Sequence, residues 1–298
     1  MSIITINPTE ISHRAMHQHM LSAVAPRPIC FASTISADGA VNLSPFSFFN
    51  AFSSNPPLLV FSAARGGRDN QLKHTHINAR ETKEVVINMV NYRMVEQMSL
   101  ASTAYPRDVN EFVKAGFTEV ASVKVRPPRV LESPVSFECV VEEIKELGDW
   151  PGAGNLIFAR VVLMHINDQY MDPEGQLDTT KLDLVGRMGG AWYNRTTEDV
   201  LFTIPKPTRN HGIGIDALPE YIKTADWLTG NELARMGNLP QLADLESINM
   251  AHEQFVKPLL MEASDITNSV ISQAKDFIAN ERPQDCLALL IAAENYLK

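Results

Sequence analysis

Cysteine is scarce in this sequence: Cys30, Cys139 and Cys286 are the three in 298 residues, with no metal-ligand or C-x-x-C spacing between them. That argues against a disulfide framework or a thiolate metal site and suits a reducing compartment. No apolar run approaches the ~18 residues that a membrane-crossing helix needs. The opening stretch MSIITINPTEISHR has acidic and polar residues where a signal peptide carries its apolar segment. The expectation is a cytoplasmic protein, neither exported nor membrane-spanning. Basic charge is not in excess either, 26 Lys and Arg standing against 35 Asp and Glu for a net −9. No general field therefore draws the chain to nucleic-acid polymers or anionic lipid, and any nucleotide it holds must be gripped locally. Also missing are G-x-G-x-x-G, G-x-x-x-x-G-K-[ST], H-E-x-x-H and G-x-S-x-G, which weakens dinucleotide-fold, P-loop, zincin and α/β-hydrolase readings.

What is present is an ordinary globular balance, 45% hydrophobic and 20% charged. From Ile29 to about Ile166 the apolar residues come in short β-branched and aromatic runs: Ile29 to Ile35, Leu58 to Ala63, Glu84 to Val90, Val135 to Leu147 and Leu156 to Ile166. Five or more such strands close a small barrel. Asp38-Gly39 favours a tight hairpin. A helix is expected over Gln71 to Arg80, and a short one capped by Asp108, with Glu111 at N3 before Phe112 and Val113. IPKPTRNHGIG, with Pro205, Pro207, Gly212 and Gly214, reads as a linker. Beyond it, Leu218, Tyr221, Ile222, Ala225 and Leu228 fall on helical spacing, as do Ile266, Val270, Ala274, Phe277 and Ile278, and Cys286 to Leu297 is apolar enough to pack. The fold class is mainly β with helices. Residues 1–207 are expected to form a small barrel domain and 208–298 a C-terminal extension of about three amphipathic helices, packed on the barrel or on a second subunit.

The stretch Asn42-Leu43-Ser44-Pro45-Phe46-Ser47-Phe48-Phe49-Asn50-Ala51-Phe52-Ser53 reads as a cluster of unusual loops, aromatic yet punctuated by hydroxyls and amides. Ser47, Phe48, Phe49 and Asn50 have the mixture that a redox ring system needs, apolar faces to stack on and polar groups for its edges. The same residues equally describe a barrel corner filled by Phe46, Phe48 and Phe52. His13 and His17 stand i, i+4, with His19 nearby, but no third ligand completes a site and no metal is expected.

Taken in order, Pro26-Arg27-Pro28-Ile29, Asp38-Gly39, the Asn42 to Asn50 stretch, Pro56-Pro57, Glu84 to Asn88, Pro127-Pro128-Arg129 and Glu132 to Val135 resemble the flavin reductase-like, FMN-binding split-barrel family over residues 20 to 195. The resemblance implies a homodimer with FMN, or FAD, as cofactor. It places Ser47, Phe48, Phe49 and Asn50 against the isoalloxazine and ribityl chain with Ser62 nearby and counts Arg27 among the cofactor-binding residues. It also puts Lys73 and Thr75 on the phosphate, although His74 departs from the Asp common between them. Asn88 matches a family Asn; its amide either faces the flavin or is a satisfied structural group. Arg65-Gly66-Gly67-Arg68 is either a solvated turn or a second basic loop for phosphate or pyrophosphate. Gly186 to Tyr193 matches a segment that in dimeric relatives lies over the partner's flavin, where Trp192 or Tyr193 would gate the ring or pack an interface.

The implied activity is an NAD(P)H-dependent flavin reductase, in which nicotinamide stacks on flavin and no acid–base triad is required. Two alternatives stay open: a flavoprotein whose tightly held FMN acts on an organic substrate, and a non-catalytic flavin-binding or partner-binding protein. No catalytic side chain is singled out.

Overall fold

The computed structural model describes residues 2–205 and 211–298, so the expected boundary between 207 and 208 lies outside the described residues. The chain divides into two compact units, Met1–Phe202 and Thr203–Lys298.

The first unit is built on β1 (Cys30–Ile35), β2 (Val41–Phe46), β3 (Phe49–Ser54), β4 (Pro57–Ser62), β5 (Glu84–Met89), the two-residue ladder β6 (Glu119–Val120) and β7 (Arg129–Val130), and the long hairpin β8 (Val135–Glu146) and β9 (Asn155–Ile166). Seven of these form one antiparallel sheet in the order β2-β1-β5-β8-β9-β4-β3. The two edge strands, β2 and β3, are consecutive in the chain. From Phe46 to Phe49 the backbone reaches about 10 Å at full extension, so the edges of the sheet must meet and the sheet must curl. Closure therefore follows from a two-residue junction, Ser47-Phe48. The stretch expected as loops is thus mostly strand: its Pro, Asn and Ser obscure the alternation, and edge strands tolerate such residues, Pro45 among them.

Alternation along β1 explains the core. Cys30 and Ala32 point into the barrel with Phe61, Ile87, Ile157 and Ala159, whereas Ile29 and Phe31 face Leu43, Met94, Met98 and Phe112. The sheet is buried on both sides here because α3 (Val95–Leu100) and α4 (Glu111–Ala115) cover its outer face. Each fully buried Phe contributes roughly 1.5–3 kcal/mol relative to exposure. The β1–β2 turn closes as Asp38-Gly39 leads one to expect, with Gly39 at φ +94° and Ser36 N–H donating to Ala40 O at 2.9 Å.

Two helix boundaries differ from the sequence expectation, and one helix was not expected. The α2 helix spans His74–Thr82, starting three residues later than Gln71. The α4 helix is capped by Asn110, whose Oδ1 accepts from Phe112 N–H at 2.9 Å, and not by Asp108, because Glu111 is turned inward to accept from Leu43 N–H. An N-terminal helix, α1 (His13–Ala23), is capped by Ser12. A short α5 (Thr179–Leu182) precedes the hairpin β10 (Val185–Arg187) and β11 (Tyr193–Arg195).

The second unit contains α6 (Glu220–Lys223), α7 (Gly230–Gly237), α8 (Leu245–Ala251), α9 (Lys257–Glu262), α10 (Ile266–Ala279), α11 (Pro283–Ala292) and α12 (Glu294–Leu297), with a π turn between α8 and α9. That is more and shorter helices than the three expected. Leu218 to Leu228 is a single helical turn flanked by loops, because Thr224 turns its hydroxyl back to Glu220 O and ends it. The Ile266 to Ile278 pattern does form one helix, with Val270, Ala274, Phe277 and Ile278 buried. Thr229 and Glu232 cap α7 reciprocally, and Glu232 also binds Lys275 Nζ at 2.7 Å, joining α7 to α10.

Candidate functional site

The Ser47-Phe48 junction is where the two edges of the sheet meet, and three neighbours converge on it. Ser62 at the end of β4 donates its N–H to Phe48 O at 2.9 Å. The Ser62 hydroxyl accepts from Asn155 N–H at 3.2 Å, and Asn155 Nδ2 in turn donates to Ala63 O at 2.9 Å. Asn155 is fully buried, yet its Oδ1 has no partner. The backbone N–H groups of Ser47 and Phe48 also have none among the described residues. The corner thus holds unused backbone donors and a buried, unused acceptor beside a 38%-exposed Phe48 ring.

Arg27, expected at the cofactor, is buried and mostly committed to the protein. Its guanidinium donates to the carbonyls of Leu21, Val24 and Met188, leaving Nε 3.5 Å from Ser47 Oγ. It therefore ties the end of α1 and the Gly186 hairpin to the junction. The backbone does likewise, Arg27 and Arg187 exchanging hydrogen bonds of 3.0 and 2.8 Å. Gly186 is required here, since a Cβ would stand 2.9 Å from Pro26 Cβ and 2.4 Å from Asn194 Oδ1. This docking leaves Trp192 78% exposed and stacks Arg187 on the Tyr193 ring at 4.5 Å.

Beside the junction stands a residue that the motif resemblance did not include. His17 meets Phe48 edge-on with ring centroids 6.1 Å apart and stacks on His13 at 6.0 Å. Burial, then the charges of His13 and Arg27, hold the His17 imidazole below its usual pKa. Its i, i+4 spacing with His13 was the available signal, and only the fold shows that His17 meets Phe48. Asn155 was equally hidden, since a lone amide at a strand start carries no motif.

Lys73 and Thr75 open α2. Lys73 stands exposed at the N-cap, and its ammonium has no ion pair among the described residues. Thr75 is buried, and its hydroxyl accepts from Asn42 Nδ2 at 2.9 Å, which pins the helix start to β2. His74 is held below its usual pKa by burial and then by the charges of Arg107 and Lys73, a sign of locally excess positive charge. Positive charge at a helix N-terminus suits a phosphate. The Arg65 loop is an ordered turn: Arg65 Nε donates to Asn70 Oδ1 and Asn70 Nδ2 to Asp149 O.

Two of the expected residues spend their amide oxygens on the protein. Asn88 is completely buried and most of its amide is used: Nδ2 donates one hydrogen to Phe31 O, while Oδ1 accepts from Val130 N–H and the Ser136 hydroxyl. Of the two roles open for it, these bonds support the structural one, with the amide tying β1, β7 and β8 together. Asn50 is exposed on β3 with Oδ1 bonded to Ala51 N–H, and Phe49 packs partly into the barrel core. The structure thus brings Arg27, Ser47, Phe48 and Ser62 together.

Comparison with known proteins places this geometry. Residues 21–183 match the model of the flavin reductase-like domain. An uncharacterized protein of Aquifex aeolicus is 39% identical over 178 residues, 60% of this chain and 88% of its own. Among solved structures, nitrilotriacetate monooxygenase component B from Bacillus cereus is 27% identical at a TM-score of 0.64, over 68% of this chain and 99% of that one. The 2-nitrobenzoate 2-nitroreductase of Pseudomonas fluorescens is also 27% identical, with a TM-score of 0.59 over 68% and 97%. The helical unit begins beyond the end of the family match.

Proposed function

The chain belongs to the flavin reductase-like domain family, and on that premise we propose that it binds FMN at the Ser47-Phe48 corner and transfers hydride from NADH or NADPH to flavin. The observation that carries this reading is the junction itself: unpartnered N–H groups of Ser47 and Phe48, an exposed Phe48 ring and an unused Asn155 Oδ1 within one hydrogen-bonded cluster. When bound, the flavin supplies two-electron chemistry that no side chain of the protein provides.

The chain's own residues hold and shape the site. Lys73, with the first N–H groups of α2, takes the phosphate, and the Thr75 hydroxyl anchors that helix start while offering its hydrogen. The junction N–H groups meet the polar edge of the ring, where fixed donors favour developing negative charge. Phe48 and His17 exclude water from one side. The proposal includes a homodimer, in which Trp192 and Tyr193 lie over the site of a second copy. None of the three thiols takes part, since Cys30, Cys139 and Cys286 are all buried and burial raises their pKa.

A second reading has its own support, the likeness to a nitroreductase: flavin held as a fixed group that acts on an organic substrate. Oxidation of NADH and NADPH, followed while free FMN or FAD is varied, separates the two. Rate saturation with added flavin is expected for the reductase; stable co-purification without turnover of free flavin selects the alternative. Calorimetric titration with both flavins that gives no uptake of either defeats both readings.

A further inference from the structure

At the far end of β9 from Asn155 lies a cavity of 410 Å³ lined by Arg129, Ser133, Ser136, Met164, His165 and Asn167, with Leu131 and Ile166 at its side. Its volume lies within the range of small-molecule sites. Asn155 and His165 sit ten residues apart on one strand, about 33 Å of chain. The cavity is therefore separate from the corner assigned above.

Its polar groups are unevenly committed. The Ser136 hydroxyl donates to Asn88 Oδ1, and the Ser133 hydroxyl lies 2.7 and 2.8 Å from the carbonyls of Met89 and Val135, so both hydrogens are spent on the protein. Arg129 Nη2 donates to Ala121 O at 3.2 Å, but its Nε is buried without a partner. Asn167 uses its Oδ1 to cap the following turn, accepting from Gln169 N–H at 3.2 Å, which leaves its NH₂ free. His165 Nε2 meets the buried Glu138 carboxylate at 2.7 Å, and that carboxylate is already held by the N–H groups of Val123 and Lys124 at 2.8 and 2.6 Å. Glu138 is thus held from behind, its ion-pair partner is His165, and no carboxylate among the described residues pairs with Arg129. What remains is a cation and an amide with hydrogens to give, beside side chains 58%, 40% and 37% exposed at Leu131, Met164 and Ile166.

We propose that this cavity binds a small carboxylate with an aliphatic body, the carboxylate on Arg129 and Asn167 and the hydrocarbon along Leu131, Met164 and Ile166. An unpaired guanidinium matches a carboxylate in charge and planar geometry. The apolar rim excludes a bare inorganic anion as the best ligand, because burying that rim is worth free energy only against hydrocarbon.

The test is calorimetric titration of the full chain, with and without saturating FMN, using hexanoate, acetate and hexanol as probes. Hexanoate is expected to bind at one site, at least tenfold tighter than either acetate, which lacks the tail, or hexanol, which lacks the charge. Arg129→Gln and, separately, Asn167→Asp should each weaken hexanoate tenfold or more. Asp keeps the cap while repelling an anion, and circular dichroism and melting curves check that both variants are folded. The proposal is overturned if hexanoate fails to bind, if acetate or hexanol binds as tightly, if both folded variants bind hexanoate as the parent does, or if FMN displaces it. Failure of FMN to bind leaves the hexanoate result standing and bears only on the proposed function.

Discussion

The two units of this protein build their interiors from different chemistry. Every buried polar or charged side chain among the described residues lies in the barrel unit, from Arg27 to Asn155. The helical unit is closed by Leu218, Ile222, Met236, Val256, Val270, Phe277, Leu287 and Leu290, with no polar residue as deeply buried among those described. Burial of hydrocarbon is non-directional and tolerates many arrangements, whereas a buried amide demands partners at fixed distances and angles. The barrel therefore holds its loops and helix starts in set positions, which a ligand corner needs. The helical unit needs only to exclude water.

The largest expected effect breaks the apolar side of this contrast. Phe277→Ala opens a void beneath the Phe255 ring, 5.0 Å away, and should cost about 3–5 kcal/mol of stability in urea titration. Next come two substitutions of similar size that should behave oppositely. Asn88→Leu leaves Phe31 O, Val130 N–H and the Ser136 hydroxyl without their partner, a loss of about 2–4 kcal/mol by the cost of unpaired buried groups. Leu289→Met in the helical core should cost under about 1.5 kcal/mol. Equal costs for the pair, measured by denaturant unfolding, would remove the distinction drawn here.

A smaller effect probes the ligand corner. Lys73→Gln should weaken FMN binding about tenfold in calorimetry with little change in stability, the worth of one charge-assisted hydrogen bond. The smallest is a slope. Burial outweighs the hydrogen bond from Leu43 and raises the Glu111 carboxyl above its usual pKa, so the folded chain holds that proton more tightly than the unfolded one. Its contribution is complete below about pH 4.5, the ordinary Glu value, and is lost as pH rises through the raised value. Glu111→Gln should flatten that part of the stability curve, read as urea midpoints across the range. An unchanged slope would show that Glu111 is not linked to folding.

Strand positions were legible because β-branched and aromatic runs bounded by Pro, Gly and Asn have few other ways to fold, and the β1, β4, β5, β8 and β9 runs agree closely with the structure. The edge strands β2 and β3 were not, because partial burial let Ser44, Pro45 and Ser53 interrupt their pattern, and Asn42 is buried as a bonded amide. At the site, Ser47, Phe48 and Ser62 were readable from motif resemblance. His17 and Asn155 were not, since each acts only through neighbours distant in the chain.

The amino-acid order alone determined the β-rich character, the change to helical periodicity beyond residue 208, the family and the stretch around Ser47, because local propensity and motif depend on neighbours along the chain. Only the tertiary structure decided that consecutive strands β2 and β3 lie on opposite edges of one sheet and so close it. It also turned the Asn88 amide inward and left Arg129 facing a cavity without a counter-charge. Whether a polar side chain keeps its hydrogen bonds for the protein or has them free for a ligand is settled by what packs around it.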